Sequence, residues 1–395
     1  MAAIFAARGG ADVVLLERTV DGGRKILISG GGRCNILPAR VDESRFVTDS
    51  SPNTLRKIVR TWPLAEQIDF FNRELGLALV EETESAKLFP ASNRARDVRD
   101  GLIALAAREG AQFRGSASVT SLLPLAFDRW RVTLEDHSTL DADEVIVASG
   151  GLSVPKTGSD GFGLQIARKL GHTIHKTYPA LTPLTAEPSA YTELAGVSLP
   201  VTLTAESAER SASATGGFLF THRGYSGPAV LDVSHVPVRS RAHNADLARL
   251  TVRWSASSAE DWLRALRRSG NRSAIGVLRE AIPDRLASVL LWAAGVDPTR
   301  TLAELRREER TSLIDILTNG ALPWSGDEGY AKAEVTGGGV DLGEIDPRTM
   351  QSRLHRNLFL CGELLDAFGP IGGYNFLWAW ATGRAAGIGA AHATE

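Results

Sequence analysis

Cysteine is scarce in this chain: Cys34 and Cys361 are the only two among 395 residues. Two thiols build no disulfide framework, and there is no CxxC pair of the kind that holds zinc or forms a redox disulfide. Both read as small packing residues, no metal centre is expected, and a reducing, cytoplasmic setting fits. Long apolar runs are also missing. None reaches membrane-spanning length, and the N-terminus has no basic stretch followed by an apolar run and a cleavage site. No membrane partner is expected. Charge of one sign is absent as well: 44 Lys+Arg face 46 Asp+Glu, a formal net charge of -2. That balance leaves no electrostatic footprint for nucleic acid, and no nucleic-acid partner is expected. The oligomeric state stays open. There is no internal repeat, and the length admits two or three domains.

What is present is glycine, 39 residues of it, concentrated in a few motifs. The first is Gly23-Arg24-Lys25-Ile26-Leu27-Ile28-Ser29-Gly30-Gly31-Gly32-Arg33-Cys34-Asn35. Consecutive glycines let backbone turn sharply and approach a ligand closely, and flanking cations make such a turn a nest for an electron-rich group. Taken alone, a glycine-rich surface loop with solvated charges is the preferred explanation.

The preceding residues change that balance. Met1–Arg8 reads as a helix, Gly9-Gly10 as its end, and Asp12–Glu17 as an apolar strand closed by an acid. Helix, glycine turn and acid-ended strand form the second half of a dinucleotide-binding βαβ unit, in which the acid binds the adenosine ribose. Glu17 is that acid. A first strand and GxGxxG turn are expected ahead of residue 1, and this sequence does not contain them. A truncated gene product or misplaced start codon is the preferred explanation. The others are an unrelated helix–strand pair, or a unit that functions without its first strand. On the preferred explanation the chain as written binds cofactor poorly, by roughly two orders of magnitude for three lost backbone donors.

These residues resemble the aminoacetone-oxidase-like (BaiN/YhiN-like) FAD-dependent flavoproteins. That family has a glycine loop, a helix close to MAAI.AA..G, a strand ending in Glu, and then GRK...SGGGRCN. The resemblance implies FAD as cofactor, Glu17 at its ribose, and Lys25, Gly30, Gly31, Gly32, Arg33, Cys34 and Asn35 along its length toward the reactive ring. Later motifs follow in family order. Ala148-Ser149-Gly150-Gly151 ends a strand. Phe218–Ala229 matches FTH.G.SGPA, and Val335–Val340 matches VT.GGV. Gly362-Glu363-Leu364-Leu365-Asp366 matches GE.LD, and Gly372-Gly373-Tyr374-Asn375 opens the last helix as GGYN. Gly150, Gly151, Gly362, Glu363, Asp366, Gly372, Gly373, Tyr374 and Asn375 are therefore cofactor-binding candidates, with Glu363 at the ribityl hydroxyls. The start of a helix presents free N–H groups and partial positive charge, suited to a reduced flavin's pyrimidine edge. Val119 is a candidate for backbone contact with adenine, beside an ordinary core role. Two departures stand out. The loop 155–163 is one residue shorter than the family's P.TGSTGDG, and Leu377 replaces a usual Gln.

The expected fold is α/β. A Rossmann-like FAD-binding domain of the two-dinucleotide-binding flavoprotein type spans 1–178 and 326–395, interrupted at 179–325 by an insert of β then helical character. Helices are expected over 53–80, 97–109 (capped by Ser92 or Asn93), 164–170, 260–268, 273–278, 286–294, 302–318 and 374–390. Short strands fall at 199–205, 212–215 and 217–221. Asp160 reads as an N-cap or a cofactor neighbour.

The expected function is FAD-dependent hydride transfer between flavin and a small organic substrate, as enone-type reduction or amine oxidation. His222, Tyr225 and Tyr374 are the candidate proton donors a reductase needs. No second GxGxxG occurs, so NAD(P)H enters only as a transient electron donor. The alternatives are a non-catalytic flavin-binding protein, and, less consistent with the GE.LD and GGYN ending, an NAD-only dehydrogenase.

Overall fold

The computed structural model describes every residue except 84, 188–190, 243–245, 268–269 and 393–395. It is mixed α/β and divides into two compact units, Met1–Thr177 with Val335–Glu395, and Tyr178–Glu334.

The first unit is built on two helices that come from opposite ends of the sequence. The N-terminal helix Ala2–Arg8 buries Ala3, Ile4, Ala6 and Ala7. It packs on the closing helix Tyr374–His392, which carries glycine and alanine where the two meet. A Cβ on Gly387 would stand 2.3 Å from the Ala2 carbonyl oxygen, and one on Gly9 would stand 2.4 Å from the Ala391 Cβ. Small residues thus set the interhelical distance by letting backbone approach backbone.

Around this pair the strands are short. Val14–Leu16 pairs in parallel with Gln112–Arg114, and Leu358–Leu360 in parallel with Val145–Val147. Among the described residues these remain two separate parallel pairs, whereas a doubly wound sheet would run them together. The unit also holds two antiparallel three-stranded sheets. One is Leu37–Pro38 with Lys87–Pro90 and Leu79–Glu82, and the other is the meander Val119–Pro124, Trp130–Leu134 and Thr139–Ala142. The helix expected over 53–80 is broken into Pro52–Val59, Leu64–Asp69 and a π-turn at Phe70–Glu74. Pro63 lies at the break, where it has no N–H to continue the ladder. The helix expected after Ser92 or Asn93 starts instead from Arg94, with no side-chain cap, and Asn93 takes a left-handed φ of 53°. Gly161, not Asp160, is the N-cap of the helix Phe162–Lys169; Asp160 precedes it, its Oδ1 accepting from the Phe162 N–H at 3.0 Å, and it also pairs with Arg18.

The second unit holds a seven-stranded antiparallel sheet with helices at Ala259–Ala265, Ala274–Leu278, Asp284–Ala293 and Arg307–Asn319. Residue 268, expected in the first of these, lies outside the described residues. The strands expected at 212–215 and 217–221 are one strand, Ser211–Thr221. Its Gly216 and Gly217 leave room for Pro228, which would lie 3.3 and 3.5 Å from their Cβ positions.

Replacing Gly387 by alanine should lower stability by about 1–3 kcal/mol through overpacking at the helix crossing. A thermal denaturation midpoint unchanged from the parent would contradict this account of the crossing.

Candidate functional site

The loop Gly23–Asn35 takes its shape from left-handed residues. Gly23 starts the helix Arg24–Ile28 at φ 63°, and Gly30, Gly31 and Gly32 follow at 55°, 67° and 86°. No heavy atom lies within 4 Å of the place where a Cβ on Gly31 would stand, and for Gly32 the nearest is the Leu27 carbonyl oxygen at 3.9 Å. These glycines are needed for their backbone conformation, and the space beside Gly31 and Gly32 is open. Gly362 repeats the pattern, with φ 76° and nothing within 4 Å. Cys34 ends the loop, buried and also left-handed at φ 62°. Arg33 lies with its guanidinium carbon 4.2 Å from the centre of the Phe89 ring and pairs with Glu82 at 3.0 Å.

Four distant segments meet at the carboxylate of Glu363. Lys25 Nζ donates to Glu363 Oε2 at 2.5 Å and also to Ser153 Oγ. Ser153 Oγ donates to Glu363 Oε1, which accepts the Thr336 N–H at 2.9 Å as well. Thr336 Oγ1 in turn accepts from the Leu152 and Ser153 N–H groups at 2.7 and 3.2 Å. Gly151 sits inside this knot. A Cβ there would stand 2.4 Å from Thr336 Oγ1 and 2.9 Å from Glu363 Oε1, so no larger residue fits. The adjoining Gly150 turns the chain at φ 74°. Ser153 and Thr336 were not among the residues expected from sequence. Both lie in glycine motifs, but nothing local marks their hydroxyls as partners of a carboxylate so far along the chain.

A second convergence joins the loop to the closing helix. The Asn35 side chain accepts from the Gly373 N–H at 2.9 Å and donates to the Leu37 carbonyl at 3.2 Å. Gly373 is pressed against Leu37, where its Cβ would come 2.3 Å from the carbonyl carbon. Asn375 closes the turn before the helix, bonding both the N–H and the carbonyl of Gly369 at 2.9 and 3.0 Å. The Tyr374 hydroxyl accepts from the Asp42 N–H at 3.1 Å and donates a long bond, 3.4 Å, to the Arg40 carbonyl. Gly372, at φ 106°, lies beside Lys87.

Other expected residues have different surroundings. Glu17 Oε1 accepts from the Thr19 N–H and hydroxyl at 2.8 and 2.6 Å, folding the chain just after its strand. Its carbonyl accepts from the Ala117 N–H at 2.9 Å, which brings the start of the Val119 strand alongside. Asp366 is 2% exposed. Its Oδ2 accepts from Thr48 Oγ1, the Asp49 and Ser50 N–H groups and Ser50 Oγ at 2.8–2.9 Å. The side chain thus anchors the loop 48–50 rather than facing a ligand. Tyr225 lies in the second unit, fully buried, with its hydroxyl donating to the Pro323 carbonyl at 2.9 Å. Burial raises its pKa above the ordinary phenol value, making it a weaker acid. That environment makes Tyr225 a core residue in place of the expected proton donor. His222 is exposed in the hairpin turn of the same unit.

The donor set fits FAD. A polar cluster of ammonium, hydroxyl and carboxylate suits ribityl hydroxyls, and left-handed glycines with open space beside them suit close passage of a flat, elongated ligand. The start of a 19-residue helix adds N–H groups suited to an electron-rich ring edge.

The profile of the HI0933-like protein Rossmann domain matches residues 1–389. The chain belongs to this family. Members of the family are FAD-dependent oxidoreductases, and so is this chain. It is 33% identical over 383 residues to the ribosomal RNA dihydrouridine synthase of Escherichia coli strain K12, covering 96% of this chain and 92% of that protein. It is 30% identical over 398 residues to the 3-dehydro-bile acid delta(4,6)-reductase of Clostridium scindens, covering 99% and 96%. The fold is also similar to that of the 3-ketosteroid delta1-dehydrogenase of Sterolibacterium denitrificans (TM-score 0.51, 12% identity, 99% of this chain and 97% of that one). Among the described residues no helix is long and apolar enough to cross a membrane, and no group of His, Cys, Asp and Glu is arranged to hold a metal ion.

Burial pushes the Cys34 thiol up to about 11 and the Cys361 thiol up to about 12. Both are therefore thiols, not thiolates, at neutral pH. Their reaction with a disulfide reagent at pH 8 should be at least ~100-fold slower than that of an exposed cysteine and should accelerate only as the protein unfolds. Labelling of the folded protein at the free-cysteine rate would contradict this.

Proposed function

We propose that this chain reduces a carbon–carbon double bond conjugated to a carbonyl group. One observation carries the reading: the two named relatives make the same bond change on different scaffolds. Dihydrouridine is uridine whose ring double bond, conjugated to a carbonyl, has been saturated. A delta(4,6)-reductase acting on a 3-dehydro acid saturates double bonds conjugated to the 3-ketone. Both relatives align along nearly the whole chain. Amine oxidation, the other expectation, has no such support.

Bound FAD, once reduced, supplies the hydride for the β carbon of such a system. The protein must then hold the substrate carbonyl and deliver a proton to the α carbon. Tyr374 suits that role. The Asp42 N–H occupies its oxygen and would stay there after the proton leaves, while the proton itself makes only the long bond to the Arg40 carbonyl. Lys25, Ser153 and Glu363 are assigned to the cofactor's polyol and Asn35 to holding the Gly372–Asn375 turn beside its ring. Glu17 is assigned to the ribose and Val119 to the adenine. NADH or NADPH is the proposed transient reductant, and the two reduced cysteines suit a cytoplasmic setting. The near-zero net charge does not exclude RNA as substrate, given the relatives named for ribosomal RNA.

The test is anaerobic. The flavin is bleached with NADPH, NADH or dithionite and mixed with a 3-keto-4-ene steroid acid, or with ribosomal RNA lacking dihydrouridine. Reoxidation by at least one of these is expected; reoxidation by oxygen alone would overturn the reading. Tyr374→Phe should slow reoxidation by about 10²–10⁴-fold while leaving the bleaching step unchanged. Equal slowing of both half-reactions would remove Tyr374 from the proton-donor role.

A further inference from the structure

Among the described residues Arg99 is the only lysine or arginine that is buried, at 7% exposure. It sits on the helix Ala95–Arg108. A buried cation costs free energy unless polar or charged partners replace its water, and the partners of Arg99 lie in the loop that leads to Lys25. Arg99 Nη1 donates to the Asp21 carbonyl and to Asp21 Oδ2, both at 3.3 Å, and to the Gly22 carbonyl at 3.5 Å. Its Nε lies against the carboxylate of the adjoining Asp100. We propose that Arg99 is a positioning residue for FAD: it fixes the segment Asp21–Gly23 and, through that segment, the place of Lys25 at the cofactor's polyol. The inference rests on the assignment of Lys25 to the polyol.

The route from Arg99 to Lys25 is short. Gly23 lies on the aliphatic stem of Arg99, where a Cβ on Gly23 would stand 2.6 Å from Arg99 Cγ. Gly23 is also left-handed, at φ 63°, and is the N-cap of the helix Arg24–Ile28. Its carbonyl accepts the Ile26 and Leu27 N–H groups at 3.0 and 3.3 Å, the first bonds of that helix. Lys25 is the helix's second residue. A helix of five residues with no side-chain cap has too few internal bonds to hold a direction by itself. Its direction comes from what its first turn rests on. From there Lys25 Nζ reaches both Ser153 Oγ and Glu363 Oε2, so a tilt of the helix takes the ammonium away from both.

The charges are arranged for restraint of the loop. Asp21 is shared, its Oδ1 accepting from Arg24 Nε at 3.1 Å while Oδ2 faces Arg99. The Arg24 guanidinium foremost, with Arg99 as a weaker contributor, holds the Asp21 carboxyl below the usual carboxylate range. It is therefore ionised at neutral pH. The Arg99 side chain is 9% exposed and that of Asp21 46%. The cation is thus the fixed member of the pair, and the loop is what it restrains. A guanidinium suits this task because its fork serves two carbonyls and a carboxylate at once, which a single ammonium does less well.

A double-mutant cycle on the FAD dissociation constant tests the route. Arg99→Met keeps the stem on which Gly23 rests and removes the guanidinium. It should weaken FAD binding about tenfold in the parent protein. With Lys25 already changed to alanine the same substitution should cost less than about twofold, because no ammonium is left to misplace. Limited trypsin digestion of the FAD-loaded protein gives a second reading: cleavage after Arg24 should be severalfold faster in Arg99→Met than in the parent. Arg99→Lys keeps a buried cation with fewer donors, so it should fall between the two in both readings, and it carries the test if Arg99→Met does not fold. Equal weakening of FAD binding with and without Lys25 would overturn the proposal, since that is the pattern of a purely structural role. Parent-like FAD affinity or a parent-like cleavage rate in the Arg99 variants would overturn it too. If Lys25→Ala alone leaves FAD affinity unchanged, the assignment of Lys25 falls and takes the proposal with it, an outcome visible in that single variant.

Discussion

The ion pair between Lys25 and Glu363 is the contact on which the first unit's candidate site depends. It spans 338 positions of sequence, and Ser153 and Thr336 extend it to the two glycine strands between. Four short segments are positioned against each other by one carboxylate. Hydrogen bonds to charged groups contribute about 1.5–3 kcal/mol each, so this group is where loss of a single atom set would loosen the most chain. Both side chains keep some solvent contact, 31% for Lys25 and 16% for Glu363. A polyol can therefore compete for the same donors and acceptors.

The glycines follow from that arrangement. Gly151 exists because Thr336 and Glu363 occupy the space of its Cβ, and Gly373 because Leu37 does. Gly31, Gly32 and Gly362 exist because the backbone turns left-handed beside open space. The first kind seals the scaffold and the second leaves room for a ligand. Asn35 and Asn375 then fix the turn that starts the closing helix, and Tyr374 hangs from that turn. Cofactor scaffold and proposed proton donor are thus parts of one framework.

Much of this was legible in the sequence, for a physical reason. Left-handed turns and helix starts demand particular residues locally, so SGGGRCN, GE.LD and GGYN could be recognised without any knowledge of their partners. The α/β class and the flavoprotein family followed from their order. What could not be read was pairing across the chain. The hydroxyls of Ser153 and Thr336 carry no local signal of the carboxylate they serve. The Asp366 side chain looked like a ligand contact because it ends a motif, yet three consecutive residues of a distant loop occupy it. Tyr225 looked reactive because a phenol stood in a glycine-rich turn, and only the sheet around it shows its burial. The broken helix at Pro63 and the continuous strand through Gly216-Gly217 are the converse: local signals whose outcome was set by a missing N–H and by the bulk of Pro228.

The central claim is that Lys25 and Glu363 act as one unit in holding FAD. A double-mutant cycle on FAD dissociation, with Lys25→Ala, Glu363→Ala and the pair together, tests it most directly. The account predicts that each single change weakens binding and that the double change costs clearly less than their sum, a coupling of about 1 kcal/mol or more. Additive losses, or FAD affinity indifferent to either substitution, would contradict it.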